Sequence, residues 1–231
     1  MPDKNGAHPA PGFDHIDTWV FDLDNTLYPA ASHLFPQIQH RMNSYIVEHL
    51  KMPMEDAFVL RRRYYLQYGT TLRGLMLNHD IKPEGFLDYV HDIDHSVLAI
   101  NPLLDAALGR LPGRKIIYTN GSERHAVKVL DRLGISRHFE SIYDICASDY
   151  IPKPDPAAYD GLVARHNIAP AKSIMFEDIH INLKPAAALG MATVWVHHGE
   201  KPAKPDEDLS HCMYVTDDLV GWLDKAVPKR P

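Results

Sequence analysis

From Asn101 onward the sequence alternates between short apolar, β-rich runs and capped helical segments, and few architectures accommodate that alternation. "RKIIYTN", "SIYDICAS", "SIMFED" and "ATVWVHH" read as strands. "NPLLDAALGRLPG", with Asn101 as N-cap and Pro102 at the first position, opens the series as a helix. Between the strands lie "SERHAVKVLDRLG", running from a Ser122 cap to a Gly134 stop, and "DPAAYDGLVARHN", with Asp155 as cap and Pro156 in its first turn. "INLKPAAALG", ending at Gly190, follows, and Met213 to Val227 adds a short strand and helix. β–α units of this length predict a parallel sheet covered by helices on both faces, a doubly wound α/β core. "DTWVFDL", Asp17 to Leu23, adds a strand from the other end of the chain: short, apolar and β-rich, as a strand buried on both faces should be.

Residues 30–100 change character and read as helices with few strand signals. "HLFPQIQHRMNSYIVEHL" places Leu34, Ile38, Met42, Tyr45 and Ile46 on one helical face. In "PMEDAFVLRRRYYLQYG", Phe58, Tyr65 and Tyr68 mark an apolar-aromatic side and Gly69 a stop. "TTLRGLMLNHD" and "PEGFLDYVHDI" read as two further short helices. The organisation expected is a flexible tail over residues 1–14, a core of residues 15–29 and 101–231, and an inserted helical domain over 30–100. The hinges are expected near Pro29–Ser32 and Ile100–Pro102.

In open α/β sheets ligands bind beyond the carboxyl ends of the strands, and polar residues collect there. The first strand ends at Asp22 and Asp24, the second at Thr119, Asn120 and Gly121, and the fourth at Glu177 and Asp178; Lys153 follows the third in "IPKPDP". Hard carboxylate oxygens suit Mg²⁺, and acids packed this closely repel without a cation. A lysine and the N–H groups of a tight turn neutralise phosphate oxygens. A carboxylate can attack phosphorus, and a second one can protonate the leaving oxygen and then deprotonate water. Each feature has a plainer reading: Asp22, Asp24, Glu177 and Asp178 as helix or turn caps, Thr119 and Asn120 as turn formers, Lys153 as a loop lysine.

"FDLDNTL" resembles the DxDxT motif of the haloacid-dehalogenase-like phosphohydrolases. "YTNG", "KPDP" and "FEDIHIN" resemble their second, third and fourth motifs, in the same order, from about Asp17 to His198, and the helical block falls where that family carries a C1-type cap. The resemblance implies that Asp22 is nucleophile and metal ligand. Asp24 is then the general acid/base, with its backbone carbonyl on the metal, and Thr26 orients that region. Leu23, Thr119, Asn120 and Lys153 bind the phosphoryl group, Lys153 also serving catalysis. Asp178 and Glu177 complete the Mg²⁺ site, Glu177 directly or through water, whereas Asn182 stands where some members carry an acid. Dehalogenases of the family lack an acid at the Asp24 position, since expelling halide needs no proton, so Asp24 favours phosphoryl chemistry. "FDLDNTLYP" with "YGTTLRGLM" is similar to pyrimidine 5′-nucleotidases. That implies a UMP- or CMP-like substrate, with Thr71 and Arg73 as cap contacts; other phosphatases or mutases acting on sugar phosphates are the alternative. Tyr64, Tyr65 and Tyr68 suit either base stacking or core packing, and Arg61 to Arg63 read as a solvated face.

The net charge of −6, from 24 basic and 30 acidic residues, argues against a duplex nucleic-acid partner; the partner that the resemblance implies is a small phosphorylated metabolite. No apolar run approaches the ~18 residues of a membrane span, "MPDKNGAHPAPGF" lacks the apolar core of a secretory signal, and Cys146 and Cys212 form no framework. The expectation is a cytoplasmic monomer or small homo-oligomer. Fifteen histidines lie scattered without a metal motif, and His180, His197 and His198 carry no assigned role. A phosphoacceptor signalling domain also uses acids, a Thr/Ser and a Lys-Pro on such a sheet, but it carries its phosphoacceptor aspartate after the third strand, where no such aspartate is expected in this chain, and has no helical insertion.

Overall fold

The structure is a computed structural model that describes residues 12–197 and 208–227. Six parallel strands, β1 (Thr18–Phe21), β2 (Arg114–Tyr118), β3 (Ser141–Tyr143), β4 (Ser173–Glu177), β5 (Ala192–Val196) and β6 (Tyr214–Thr216), form one sheet in the order β3-β2-β1-β4-β5-β6. The order reverses beside β1, and the crevice at such a switch point is where open sheets bind ligands. Alternate residues serve opposite faces. Trp19, Phe21, Ile117, Phe176 and Val196 pack under α5 (Pro102–Arg110), α6 (Glu123–Leu133) and α9 (Leu219–Ala226). Val20, Ile116, Tyr118, Met175 and Trp195 pack under α7 (Pro156–His166) and α8 (Leu183–Ala188). The core is thus the doubly wound α/β fold expected, and the caps read from sequence operate: Asn101, Ser122 and Asp155 each accept a backbone N–H of the turn they begin.

Between β1 and α5 the chain builds α1 (Leu34–Leu50), α2 (Met54–Tyr68), α3 (Thr71–His79) and α4 (Pro83–Val90) around their own core of Ile38, Ile46, Leu60, Tyr64, Leu75 and Phe86. The buried side of α2 is Ala57, Leu60 and Tyr64; Phe58 and Tyr65 stand out of it. The sequence reading chose the wrong aromatic side because α2 carries rings on both. Gly74 decides between them: it brings α3 so close that a Cβ there would lie 2.3 Å from Tyr64 Cγ.

Three sequence boundaries move. β1 stops at Phe21: Asp22 N–H still reaches the Phe176 carbonyl, but Thr26 and Leu27 turn back onto the Leu23 carbonyl. β3 stops at Tyr143 because Asp144 turns inward, accepting Glu123 N–H and Ala147 N–H. An aspartate therefore does follow the third strand, contrary to the sequence reading. It lies on the edge strand beyond β2 with both oxygens engaged, so it offers no phosphoacceptor. Within the stretch read as a tail, Phe13 is buried against Trp19, Tyr214 and Trp222; residues 1–11 and His198 lie outside the described residues.

Candidate active site

The carboxyl ends of β1, β2 and β4 bring Asp22, Thr119, Glu177 and Asp178 to one edge, and the loop after β3 brings Lys153. Lys153 is 2% exposed and spends all three ammonium hydrogens: Nζ lies 2.6 Å from Asp22 Oδ1, 2.9 Å from Glu177 Oε1 and 2.9 Å from the Tyr118 carbonyl. Burial opposes its charge, but the Asp22 and Glu177 carboxylates outweigh burial and hold the ammonium well above its ordinary pKa. Asp22 Oδ2 accepts the Thr26 hydroxyl at 2.9 Å. Thr26 thus holds the Asp22 carboxylate by the oxygen opposite the one that Lys153 takes.

Charge at this edge does not balance. Oxygens of Asp22, Glu177 and Asp178 lie within 4.8 Å of one another, with Lys153 as the cation among them. Burial pushes Asp22 up to about 7, Lys153 opposing and Glu177 adding to the rise. Burial, then the charges of Glu177 and Asp178's other neighbour Asp22, push Asp178 well above the carboxylate range. A buried, oxygen-only cluster short of positive charge fits a hard divalent cation such as Mg²⁺. The three acids are not equivalent as ligands. Glu177 Oε1 already takes Lys153 and Asn182 Nδ2, and Oε2 takes the Ile179 N–H at 2.6 Å. Asp22 and Asp178 are therefore the acids that could coordinate such a cation, with Glu177 and Asn182 behind them.

Asp24, two residues from Asp22, sits in a different environment. Its Oδ1 accepts the Tyr28 hydroxyl and faces His125 Nε2 at 2.9 Å. Burial raises its pKa, but the charge and hydrogen bond of His125, with Tyr28, prevail and bring the carboxyl down to about 2. A Cβ at Gly121 would stand 3.7 Å from Asp24 Oδ2 and 3.3 Å from Thr119 Oγ1, so both oxygens lie close to the Gly121 backbone. Thr119 Oγ1 accepts the Gly121 N–H at 2.9 Å, a bond that does not use its own hydrogen.

Other sequence-named residues are placed as follows. Asn120 turns its side chain to the Lys153 backbone, Oδ1 accepting the Lys153 N–H at 2.9 Å and Nδ2 donating to its carbonyl at 3.3 Å; it positions the lysine loop. Leu23 is wholly buried, and its carbonyl accepts the N–H groups of Thr26 and Leu27. Thr71 is buried, and its hydroxyl donates to the Arg61 carbonyl, away from the cleft. Arg73, by contrast, lines a cleft of about 660 Å³ with Tyr65, Tyr68, Asn120 and Lys153. Tyr64 is in the cap core with its hydroxyl 2.7 Å from His79 Nε2. The cap approaches the lysine loop at Gly69, where φ is +81° and a Cβ would lie 3.1 Å from the Lys153 carbonyl oxygen.

A matching family covers residues 16–190, most of the chain. The chain belongs to the haloacid dehalogenase-like hydrolase family. Among relatives of this hydrolase, Phosphate metabolism protein 8 of Saccharomyces cerevisiae is 27% identical over 194 residues, 76% of this chain and 60% of that one. The chain thus spans under two thirds of the yeast protein's length. A phosphoglycolate phosphatase of Pseudomonas fluorescens is 25% identical over 228 residues, 90% of this chain and 80% of the relative. Among solved structures, an HAD phosphatase from Thermococcus onnurineus shares the fold with a TM-score of 0.62 at 18% identity, covering 92% of this chain and 98% of that one. No described helix is long and apolar enough to cross a membrane.

The sequence reading missed three histidines. His125 Nδ1 lies 3.1 Å from His95 Nε2, and His91 stacks on His125 with centroids 4.5 Å apart and planes 10° from parallel. Burial, then the charge of His125, lowers the pKa of His91 to about 3 and lowers that of His95. His95 Nδ1 faces the Ile93 carbonyl, an acceptor, and His125 Nε2 faces the Asp24 carboxylate.

Proposed function

We propose that this hydrolase is a Mg²⁺-dependent phosphomonoesterase for a small phosphorylated metabolite, and that a pyrimidine nucleoside 5′-monophosphate is its substrate class. The observation that carries the phosphatase reading is Asp24. A second carboxylate, held by Tyr28 and His125 beside Thr119, has no use in expelling halide but is what a protonated leaving oxygen requires. Relatives named for phosphoglycolate hydrolysis support the same class.

Asp22 Oδ1, against Lys153, attacks phosphorus; the lysine and the Thr119 hydroxyl take charge from the phosphoryl oxygens. Asp24 gives its proton to the departing oxygen and then takes one from the water that opens the aspartyl phosphate. Mg²⁺ held by Asp22, Asp178 and the Asp24 backbone carbonyl would supply the positive charge that the cluster lacks. The cleft runs from Lys153 and Asn120 to Tyr65, Tyr68 and Arg73, which supports a substrate with phosphate at the sheet and a planar polar group at the cap.

The test is a phosphate-release panel with Mg²⁺ over UMP, CMP, purine monophosphates, 2-phosphoglycolate and sugar phosphates. UMP and CMP should lead it, and Asp22→Asn should abolish turnover and acid-stable labelling of the protein. A panel led by 2-phosphoglycolate or a sugar phosphate would replace the nucleotide assignment. Undiminished turnover in Asp22→Asn would remove the aspartyl-phosphate route.

A further inference from the structure

We infer that His125 is a positioning residue for the Asp24 carboxylate, and that it is itself held by His91 and His95 of the segment that returns from the cap. The inference rests on the acid/base role proposed for Asp24.

The geometry is asymmetric. Both donors found on the Asp24 side chain, the Tyr28 hydroxyl and His125 Nε2, fall on Oδ1. Two bonds to one oxygen fix the carboxylate plane and leave Oδ2, which lies toward the Gly121 turn, free of both. His125 is fully buried and so does not meet substrate. Its ring is fixed in turn by His95 Nε2 at 3.1 Å on the far nitrogen and by the His91 ring lying parallel on its face. His91 Nδ1 is anchored 2.8 Å from Ser122 Oγ, the cap of α6, and His95 Nδ1 is anchored on the Ile93 carbonyl. His91 closes α4 and His95 lies in the turn after it, so these two rings come from the cap side and His125 from the core. The aim of the acid/base group therefore depends on how the cap's return segment is seated. Tyr28, on the outgoing connection, ties the same oxygen to the other crossing.

A general acid matters in proportion to how badly the leaving group needs a proton. An alkoxide needs one; p-nitrophenolate leaves without. The test compares first-turnover alcohol release from an alkyl monoester (UMP or 2-phosphoglycolate, whichever the wild type hydrolyses) with p-nitrophenol release from p-nitrophenyl phosphate, in Mg²⁺. Histidine is replaced by Met, which fills the space without a donor, and by Gln, which keeps an N–H near Nε2. Misplacement of a catalytic group by ~1 Å costs up to ~100-fold. The expected result for His125→Met is thus a ~10- to 100-fold slower alkyl step at nearly unchanged KM, with the aryl step within about threefold. His125→Gln should recover most of the loss. Equal losses on both esters, no loss on either, or a Gln variant no better than Met would overturn the inference. If His125→Met does not fold, His95→Met carries the same comparison: a smaller loss confined to the alkyl ester is expected, and its absence overturns the coupling to the cap. A wild type inactive on every monoester overturns the phosphomonoesterase reading itself, an outcome distinct from an active wild type with indifferent variants.

Discussion

Lys153→Met tests the charge arithmetic of the site. The substitution removes the cation that sits 2.6 Å from Asp22 and 2.9 Å from Glu177 in a pocket where the lysine is 2% exposed. Glu177 keeps its bonds from Asn182 and Ile179, so the loss falls mainly on Asp22. Removing one partner of a buried ion pair costs about 3–5 kcal/mol. In a chain of 231 residues each kcal/mol moves the melting temperature by ~2–4 °C, so the deficit should be ~6–20 °C. The cost has a pH signature. A carboxyl whose pKa is raised by folding loses stability as pH climbs from its unfolded value through its folded one. Asp22 stands at about 7 with the lysine present and must rise further without it. Below 7 it carries a proton in both proteins and the deficit is small; above 7 only the wild type can offset the ionised form. Urea unfolding in EDTA at pH 6 and pH 8.5 measures this directly. A variant within about 1 kcal/mol of wild type at pH 8.5, or a deficit that shrinks as pH rises, would refute the assignment of Lys153 as counter-ion to Asp22.

Gly74→Ala, normally worth ~1 kcal/mol of added helix stability, should instead cost about 1–3 kcal/mol, because its methyl would meet the Tyr64 ring at 2.3 Å; thermal melts decide the sign. Thr71→Val should cost about 0.5–1.5 kcal/mol through the lost bond to Arg61 and leave KM unchanged. Arg73→Ala should lower kcat/KM for UMP by ~10- to 100-fold, the worth of a charged hydrogen bond, with p-nitrophenyl phosphate within about twofold. Asp178→Asn should weaken Mg²⁺ binding by calorimetry beyond the ~10- to 100-fold loss expected of Glu177→Gln, whose side chain already spends both oxygens on the protein.

What was legible in the sequence is what chain order alone encodes. Strand–helix alternation, three helix caps and the acids at strand ends follow from local pattern, and a parallel sheet then gathers them at one edge. Hydrogen-bond direction is not encoded in that way. Thr71 and Asn120 have the right chemistry for ligand contact, yet packing turned one toward Arg61 and the other toward the Lys153 backbone. The face of α2 was misread because Gly74, on another helix, selects it. The histidines behind Asp24 were out of reach for the same reason: His125 lies 101 residues from Asp24 and 30 from His95, with no motif spacing to join them.

The two acids of "FDLDNTL" occupy separate electrostatic compartments, and their metal-free state runs opposite to catalysis. Asp22, the proposed nucleophile, is pushed up to about 7 by burial with acidic neighbours, although attack needs it ionised. Asp24, the proposed proton donor, is brought down to about 2, chiefly by His125 against the opposing effect of burial, although donation needs it protonated. Pairs of groups driven apart by their surroundings mark acid/base assignments, and here the order must invert on loading. A divalent charge held by Asp22 and Asp178 would stabilise the ionised Asp22 carboxylate, while a bound phosphoryl dianion would repel ionised Asp24 and favour the proton there. On this argument Lys153 and His125 are counterparts: each bonds one of the two carboxylates, and they reach them from different elements, the loop after β3 and α6.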